Sequence, residues 1–417
     1  MMEIADKYKQ TEVGLIPEDW EVKTIGEISK LKNGYAFSSE FFSKTGPIVI
    51  TPGNFKLDGG LKFTDRNTIR YSGYISKEMQ FQNGDLLIVM TDLTPDCNLL
   101  GKPGIVNSEE IILHNQRIGK ITITSNLVKQ EYLYWFFISD LFSKRMKETA
   151  TGSTVRHTSV GSINNSLIPI PTKAEQTAIA TALSDADALI SSLEKLIAKK
   201  RMIKQGAMQQ LLQPKEGWEV KKLGSIGKPY GGLSGKSKED FENGKYPYIP
   251  FMNIMSNPVI DTSYLDYVNI NAGESQNNAQ KGDLFFNGSS ETPEEVGMCS
   301  VLLDDIPNLY LNSFCFGFRL NKDSRCIGLY LSYYFRSNEG RKLFYSMAQG
   351  ATRFNLSKSN FNKLELRLPS PEEQTRIATI LSDMDAEIAA LEAKLEKYKK
   401  VKLGMMQNLL TGKIRLI

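Results

Sequence analysis

Between residues 169 and 212, and again between 368 and 410, apolar side chains recur at alternating spacings of four and three. That period keeps one seam of a helix turned toward a partner helix. In the second stretch the seam is Ile377, Leu381, Met384, Ile388, Leu391, Leu395, Tyr398, Lys402, Met405 and Leu409, broken only by Lys402. In the first it is Ile179, Leu183, Ala186, Ile190, Leu193, Ile197, Lys200, Lys204, Ala207 and Leu211, broken only by the lysines. Thr172 with Glu175 and Ser370 with Glu373 predict capping boxes, in which hydroxyl and carboxylate satisfy free backbone N–H groups reciprocally. Pro214 and Gly412 are the stops. The pattern predicts two helices of roughly 40 residues, each about 60 Å long at a rise of about 1.5 Å per residue. Helices this polar and this long need a partner, and each is the nearest partner of the other. Two surface helices packed on separate domains are the alternative, disfavoured by the matched length, caps and phase. Ser184-Asp185 and Ser382-Asp383 offer second caps that would break each helix, but the heptad phase runs through them.

The two stretches are part of a longer repeat. Gln176 falls on Gln374, Asp185 on Asp383, Asp187 on Asp385 and Leu212 on Leu410, always 198 positions on. The same offset carries Trp20-Glu21-Val22-Lys23 onto Trp218-Glu219-Val220-Lys221, Gly26 onto Gly224, Gly34 onto Gly232, and Gly84-Asp85-Leu86 onto Gly282-Asp283-Leu284. It also aligns Leu113 and Gly119 with Leu311 and Gly317, the aromatic run 132–137 with 330–335, and Gly152-Ser153-Thr154 with Gly350-Ala351-Thr352. A repeat of this length spanning the chain is a tandem duplication: globular unit, helix, globular unit, helix. Its segments are residues 1–168, 169–213, 214–366 and 367–417. Between the landmarks the copies diverge, at 35–70 against 233–268 and at 89–109 against 287–307. A fixed frame with divergent loops suits two copies that recognise different things; drift of unconstrained loops would look the same.

Within each unit, runs rich in β-branched and aromatic residues predict strands at 47–51, 85–90, 118–124, 283–287 and 314–320. Helical spacing of aromatics predicts helices at 130–147 and 328–345, whose rings read as core rather than as a base-stacking platform. The class is α+β with an irregular sheet in each unit.

Composition narrows this only a little. The 417 residues exceed one ordinary core. A net charge of +4 and a pI near 8.6 do not demand a nucleic-acid partner. Cys97, Cys299, Cys315 and Cys326 have neither metal-ligand spacing nor a disulfide framework, which fits a reducing cytoplasm. The polar start is unlike a signal peptide, and the apolar runs are too short to span a bilayer, so a soluble protein with no membrane partner is expected.

Catalytic motifs are missing where an enzyme would need them. Gly231 to Ser237 looks like a phosphate loop, but Tyr230 stands where the first glycine belongs. The histidines, His114 and His157, lack a nucleophile or ligand cluster, Glu392-Ala393-Lys394 lies on a helix, and no metal site is expected. What remains is a set of polar loops. The pair 151–159 and 349–357 sits at matching places after the aromatic helices and offers Ser153, Thr154, Arg156 and His157 in one copy, Thr352, Arg353 and Asn355 in the other. Hydroxyls and Arg suit phosphates, and Arg and Asn also read purine edges. Further candidates are Tyr35, Ser38, Thr91 and Asn98 in the first copy, and Lys236, Lys238, Asn287, Ser289 and Ser290 in the second.

These residues carry a resemblance. The element Glu373-Gln374 with Ile377, Leu381 and Asp385, found again as Glu175-Gln176 with Ile179, Leu183 and Asp187, and the ending Leu409-Leu410-Thr411-Gly412-Lys413-Ile414, resemble the specificity subunit of a Type I restriction-modification system. The likeness covers essentially the whole chain. The first copy departs at Thr172-Lys173-Ala174-Glu175 and Leu211-Leu212-Gln213-Pro214, which touches only the cap and the turn. The resemblance implies two target recognition domains in tandem, each reading half of a split sequence in double-stranded DNA. Between them, two helices pair as an antiparallel coiled coil with pseudo-two-fold symmetry and act as a ruler. It implies no catalysis and no cofactor in this chain. Two methyltransferase subunits would bring S-adenosylmethionine, and restriction subunits would bring ATP and Mg. A coiled-coil scaffold binding only protein, or a stand-alone methyltransferase or nuclease, are the other readings.

Overall fold

In the computed structural model, which describes residues 8–94, 96–242, 244–345 and 354–416, the heptad stretches form unbroken helices, Lys173–Leu211 and Pro371–Leu409. They start and stop 198 residues apart. Ser184 and Ser382 do not interrupt them, because continuous seam burial outweighs a local cap. Every seam position named above is buried or half-buried.

The chain divides into two compact units, residues 1–193 with 394–417 and residues 194–393. Each unit contains a half of both long helices, and within each unit the halves run antiparallel. In the first, the Lys402 ammonium pairs with Asp187 and lies 5.0 Å from the Trp135 ring centroid. In the second, Lys204 pairs with Asp385 and lies 5.5 Å from the Tyr333 ring. Lys204 and Lys402 therefore make the same ion pair at the same repeat position in the two units, while the third polar seam residue, Lys200, pairs with Glu387 and has Tyr398 as its counterpart. The stems of Lys204 and Lys402 lie along the seam while each charge meets a carboxylate and an aromatic face.

The capping boxes form only in part. The hydroxyls of Thr172 and Ser370 accept from the Glu175 and Glu373 N–H groups at 3.3 Å. The carboxylates turn elsewhere: Glu373 binds Arg376, and Glu175 is buried against Trp20 Nε1 (3.0 Å) and Arg415 (2.6 and 2.8 Å). An ionic partner outcompetes a single backbone N–H for a carboxylate. The neighbouring glutamines explain their own repetition. Gln176, fully buried, accepts from the Lys129 N–H and donates to the carbonyls of Leu127 and Pro171. Gln374 does the same with Ile327, Arg325 and Pro369, tying each long helix to the start of an aromatic helix.

Those aromatic helices are shorter than their period suggests. Each breaks once, giving Gln130–Ile138 and Asp140–Glu148 in the first unit and Gly328–Arg336 and Asn338–Tyr345 in the second. At the break the Ser139 and Ser337 hydroxyls accept from Phe142 N–H and Gly340 N–H, so a serine cap restarts the helix. Tyr132, Phe136 and Phe137, and Tyr330, Tyr334 and Phe335, are buried core, as their spacing predicts.

Each unit has a four-stranded antiparallel sheet. In the first unit the order is Ser29–Asn33, Ile118–Ile123, Leu86–Val89, Pro103–Ile105; in the second it is Gly227–Gly231, Cys315–Leu320, Leu284–Asn287, Cys299–Val301. One expected match fails. Gly119 pairs with Ile88, whereas Gly317 pairs with Phe285 rather than Phe286, so the offset drops to 197 along that strand. Gly34 and Gly232 do correspond. A Cβ there would stand 2.3 Å from the His114 carbonyl oxygen and 2.0 Å from that of Asn312, so only glycine fits.

His114 is 2 % exposed, packs against Phe81 with ring centroids 4.3 Å apart and planes tilted by 37°, and bonds through Nε2 to the Ile118 carbonyl at 2.9 Å. Burial pushes its pKa down to about 4 from 6.5. Protonation favours the unfolded chain, where the ring keeps its ordinary value, so the stability it confers is full above pH 6.5 and is lost as pH falls toward 4. We expect this group to contribute a slope of up to about 1.4 kcal/mol per pH unit in that window. Urea unfolding followed against pH, with His114→Gln flattening the curve, measures it.

Candidate nucleic-acid interface

The antiparallel register gathers the polar loops at one end of each sheet. In the first unit, strand Ser29–Asn33 ends, strand Leu86–Val89 ends and strand Ile118–Ile123 begins at the same edge. Tyr35, Thr91 and the exposed Arg117 therefore share that end. There Thr91–Asp92 pairs with Arg156–His157 as a two-stranded ribbon, Thr91 opposite His157. The His157 and Thr151 backbones exchange both hydrogen bonds at 2.9 Å, which closes the loop carrying exposed Ser153 and Thr154.

The second unit builds the same ribbon from Ser289–Ser290 and Phe354–Asn355, with Ser289 opposite Asn355. Here Phe314, 60 % exposed, takes the edge position. Gly288 N–H donates to the Phe314 carbonyl at 3.1 Å, as Met90 N–H donates to that of Arg117 at 2.9 Å. Arg117 and Phe314 were not singled out in the sequence. Only strand pairing brings the residue before strand Ile118–Ile123 or Cys315–Leu320 beside residue 90 or 288.

The sequence candidates divide by what their side chains already hold. Tyr35 is half-buried, its hydroxyl 3.4 Å from Lys32 Nζ; Ser38 is exposed and caps a short turn at Glu40 N–H. His157, Ser153, Thr154, Lys238 and Asn355 are exposed. Arg156 is half-buried, donating to the Gly152 carbonyl at 2.7 Å. Ser289 is half-buried on the ribbon.

Other candidates prove to be part of the frame. Lys236, expected as a solvent-facing cation, has a side chain only 4 % exposed and is paired with Glu274 at 2.6 Å. Lys236 and two further donors hold the Glu274 carboxyl down at about 2. Asn287, expected to face a ligand, is fully buried. It donates to the carbonyls of Ser289 and Glu295 and accepts from the Met298 N–H, shaping the loop behind the ribbon. Buried amides of this kind need every partner they have. Ser290 bonds to Glu295, Asn98 accepts from Lys147, and Thr91 is buried with its hydroxyl 3.0 Å from His157 Nδ1. Thr352 and Arg353 lie outside the described residues.

Among the described residues no cluster of three His, Cys, Asp or Glu is placed to hold a metal, and no helix is long and apolar enough to cross a membrane. The geometry is that of two polar surfaces built on one frame and faced with different side chains.

The family model described as Type I restriction modification DNA specificity domain matches residues 17–201 and again 215–400. The chain is 26% identical to the putative type I restriction enzyme MjaX specificity subunit of Methanocaldococcus jannaschii, over 98% of this chain and 97% of that one. It is 27% identical to the MjaVIII specificity subunit of the same organism, over 98% and 96%. A solved S subunit of a Type-I restriction-modification system from M. genitalium superposes with a TM-score of 0.56 at 17% identity, covering 94% of this chain and 96% of that one. At that identity the likeness is one of fold.

Proposed function

The chain belongs to the Type I restriction modification DNA specificity domain family, as a specificity subunit with two tandem domains for DNA sequence recognition, and from this we propose how its parts divide the work. Each unit reads one half of a bipartite, asymmetric site in double-stranded DNA, through the sheet end that carries the ribbon. The paired long helices set the gap between the half-sites and dock two methyltransferase subunits, with restriction subunits joining the assembly. The chain itself is not catalytic. S-adenosylmethionine, ATP and Mg act in the partner subunits, and the assembly works in the cytoplasm, where the DNA is.

One observation carries this reading: the ribbon recurs 198 residues on, while its exposed side chain changes from His157 to Asn355 and the residue opposite changes from buried Thr91 to half-buried Ser289. Two identical frames with unlike faces are what an asymmetric site requires, since two identical readers would demand a palindrome. Phosphate contacts would supply salt-dependent affinity, and the ribbon side chains the discrimination.

Exchanging residues 214–366 for another recognition domain, and sequencing methylated sites in cells that carry the subunit with its methyltransferase, tests the division. We expect one half of the site to change and the other half to stay. A change in both halves, or in neither, would sink it. Turnover by the purified chain alone, given DNA, Mg and S-adenosylmethionine, would favour a self-contained enzyme.

A further inference from the structure

In each unit one exposed polar side chain stands at the same point of the ribbon, His157 in the first and Asn355 in the second. The backbone beneath them is held alike. Thr158 N–H donates to the Met90 carbonyl at 3.0 Å, and Leu356 N–H to the Gly288 carbonyl at 2.9 Å. Both following residues, Thr158 and Leu356, are buried, and both preceding ones, Arg156 and Phe354, are half-buried. Within this stretch, 157 and 355 are the positions turned out to solvent.

His157 is also held at one ring nitrogen. Its Nδ1 lies 3.0 Å from the hydroxyl of buried Thr91, and among the described residues Nε2 has no hydrogen-bond partner. A ring fixed at one nitrogen loses little side-chain freedom when the other is used, so it suits a geometrically demanding contact. When the Thr91 hydroxyl donates to Nδ1, the ring proton sits on Nε2, which then donates to an acceptor such as purine N7 or guanine O6. Asparagine at 355 has the donor and acceptor pair that matches adenine N6 and N7.

We propose that His157 and Asn355 are the base-reading side chains of the two half-sites, each addressing the edge of one base pair in the major groove, with Thr91 as the positioning residue for His157. This rests on the reading of the two units as half-site readers. It adds where on each unit the reading is done.

The test uses the full chain assembled with its methyltransferase subunits, a library of DNA sites and sequencing of the methylated products. His157→Ala is expected to relax one base position in one half-site, so that discrimination there falls by roughly tenfold or more. The other half-site and the gap are expected to stay unchanged. Asn355→Ala should do the same in the opposite half-site. Thr91→Val, which keeps the shape and removes the hydroxyl, should weaken discrimination at the position that His157 reads and nowhere else. His157→Gln serves as a second variant that keeps hydrogen-bonding groups and changes their reach; it should shift preference at that position.

Unchanged site preference in both His157 variants would overturn the proposal. So would a uniform loss across all sites in variants that still assemble with the methyltransferase, because that is the signature of a phosphate contact. Exchange of residues 214–366 separates the two levels. If that exchange alters one half-site while the His157 variants alter nothing, the residue assignment fails and the half-site reading stands. If the exchange alters neither half, the reading itself fails.

Discussion

Arg415→Ala is expected to destabilise the first unit by about 3 kcal/mol, because it leaves a buried carboxylate without its cation. Glu175 is 2 % exposed, and the Arg415 guanidinium meets it through Nε at 2.6 Å and Nη2 at 2.8 Å, while also gripping Asp19 at 2.8 and 2.9 Å. The same guanidinium lies 5.6 Å from the Trp20 ring. Hydrogen bonds to the two carboxylates raise the Arg415 pKa, and the Arg415 bond holds Asp19 below the usual carboxylate range. Among the described residues, removal of the arginine leaves the Glu175 carboxylate only the Trp20 indole N–H. Urea unfolding of Arg415→Ala measures the loss. The double variant Arg415→Met with Glu175→Gln, which removes both charges, should recover a large part of it. A wild-type midpoint in Arg415→Ala would show that water already screens the pair.

Inserting one heptad into each long helix, between residues 193 and 194 and between 393 and 394, is expected to abolish methylation of the original site and to create a new site with a wider gap. Seven residues add about 10 Å of helix, which is about three base-pair steps at about 3.4 Å each. The inserted turns preserve the apolar phase, so Asp187–Lys402 and Lys204–Asp385 keep their partners. Sequencing of methylated sites reads the gap directly. An unaltered gap in an active heptad variant would end the ruler idea.

Local pattern carried much of this protein. Alternation of four and three was enough to place both long helices within a few residues, because a seam that must be buried along its whole length leaves a mark at every turn. The duplication was legible for the same reason: the frame residues, such as Gln176 and Gln374 or Gly34 and Gly232, have one job that one residue type does. Burial of the aromatic helices was also visible, and their break was not, since a serine cap differs from an ordinary surface serine only in what its hydroxyl meets.

The candidate surface was legible by residue type and poorly by position. Asn287, Lys236 and Ser153 look alike as letters, yet the first two point inward to Met298 and Glu274 and the third lies exposed on a loop. Polar side chains serve frame and surface equally well, and the choice depends on partners far along the chain, such as Glu274 for Lys236 or Thr91 for His157. The capping carboxylates illustrate the same rule: Glu175 had a backbone partner three residues away, but Arg415, distant in sequence, took it. Periodicity, caps and the repeat were therefore fixed by neighbours a few residues apart. Which polar groups stay free to meet a ligand was settled by long-range pairing, because a charge or amide goes to its strongest available partner wherever the fold brings that partner.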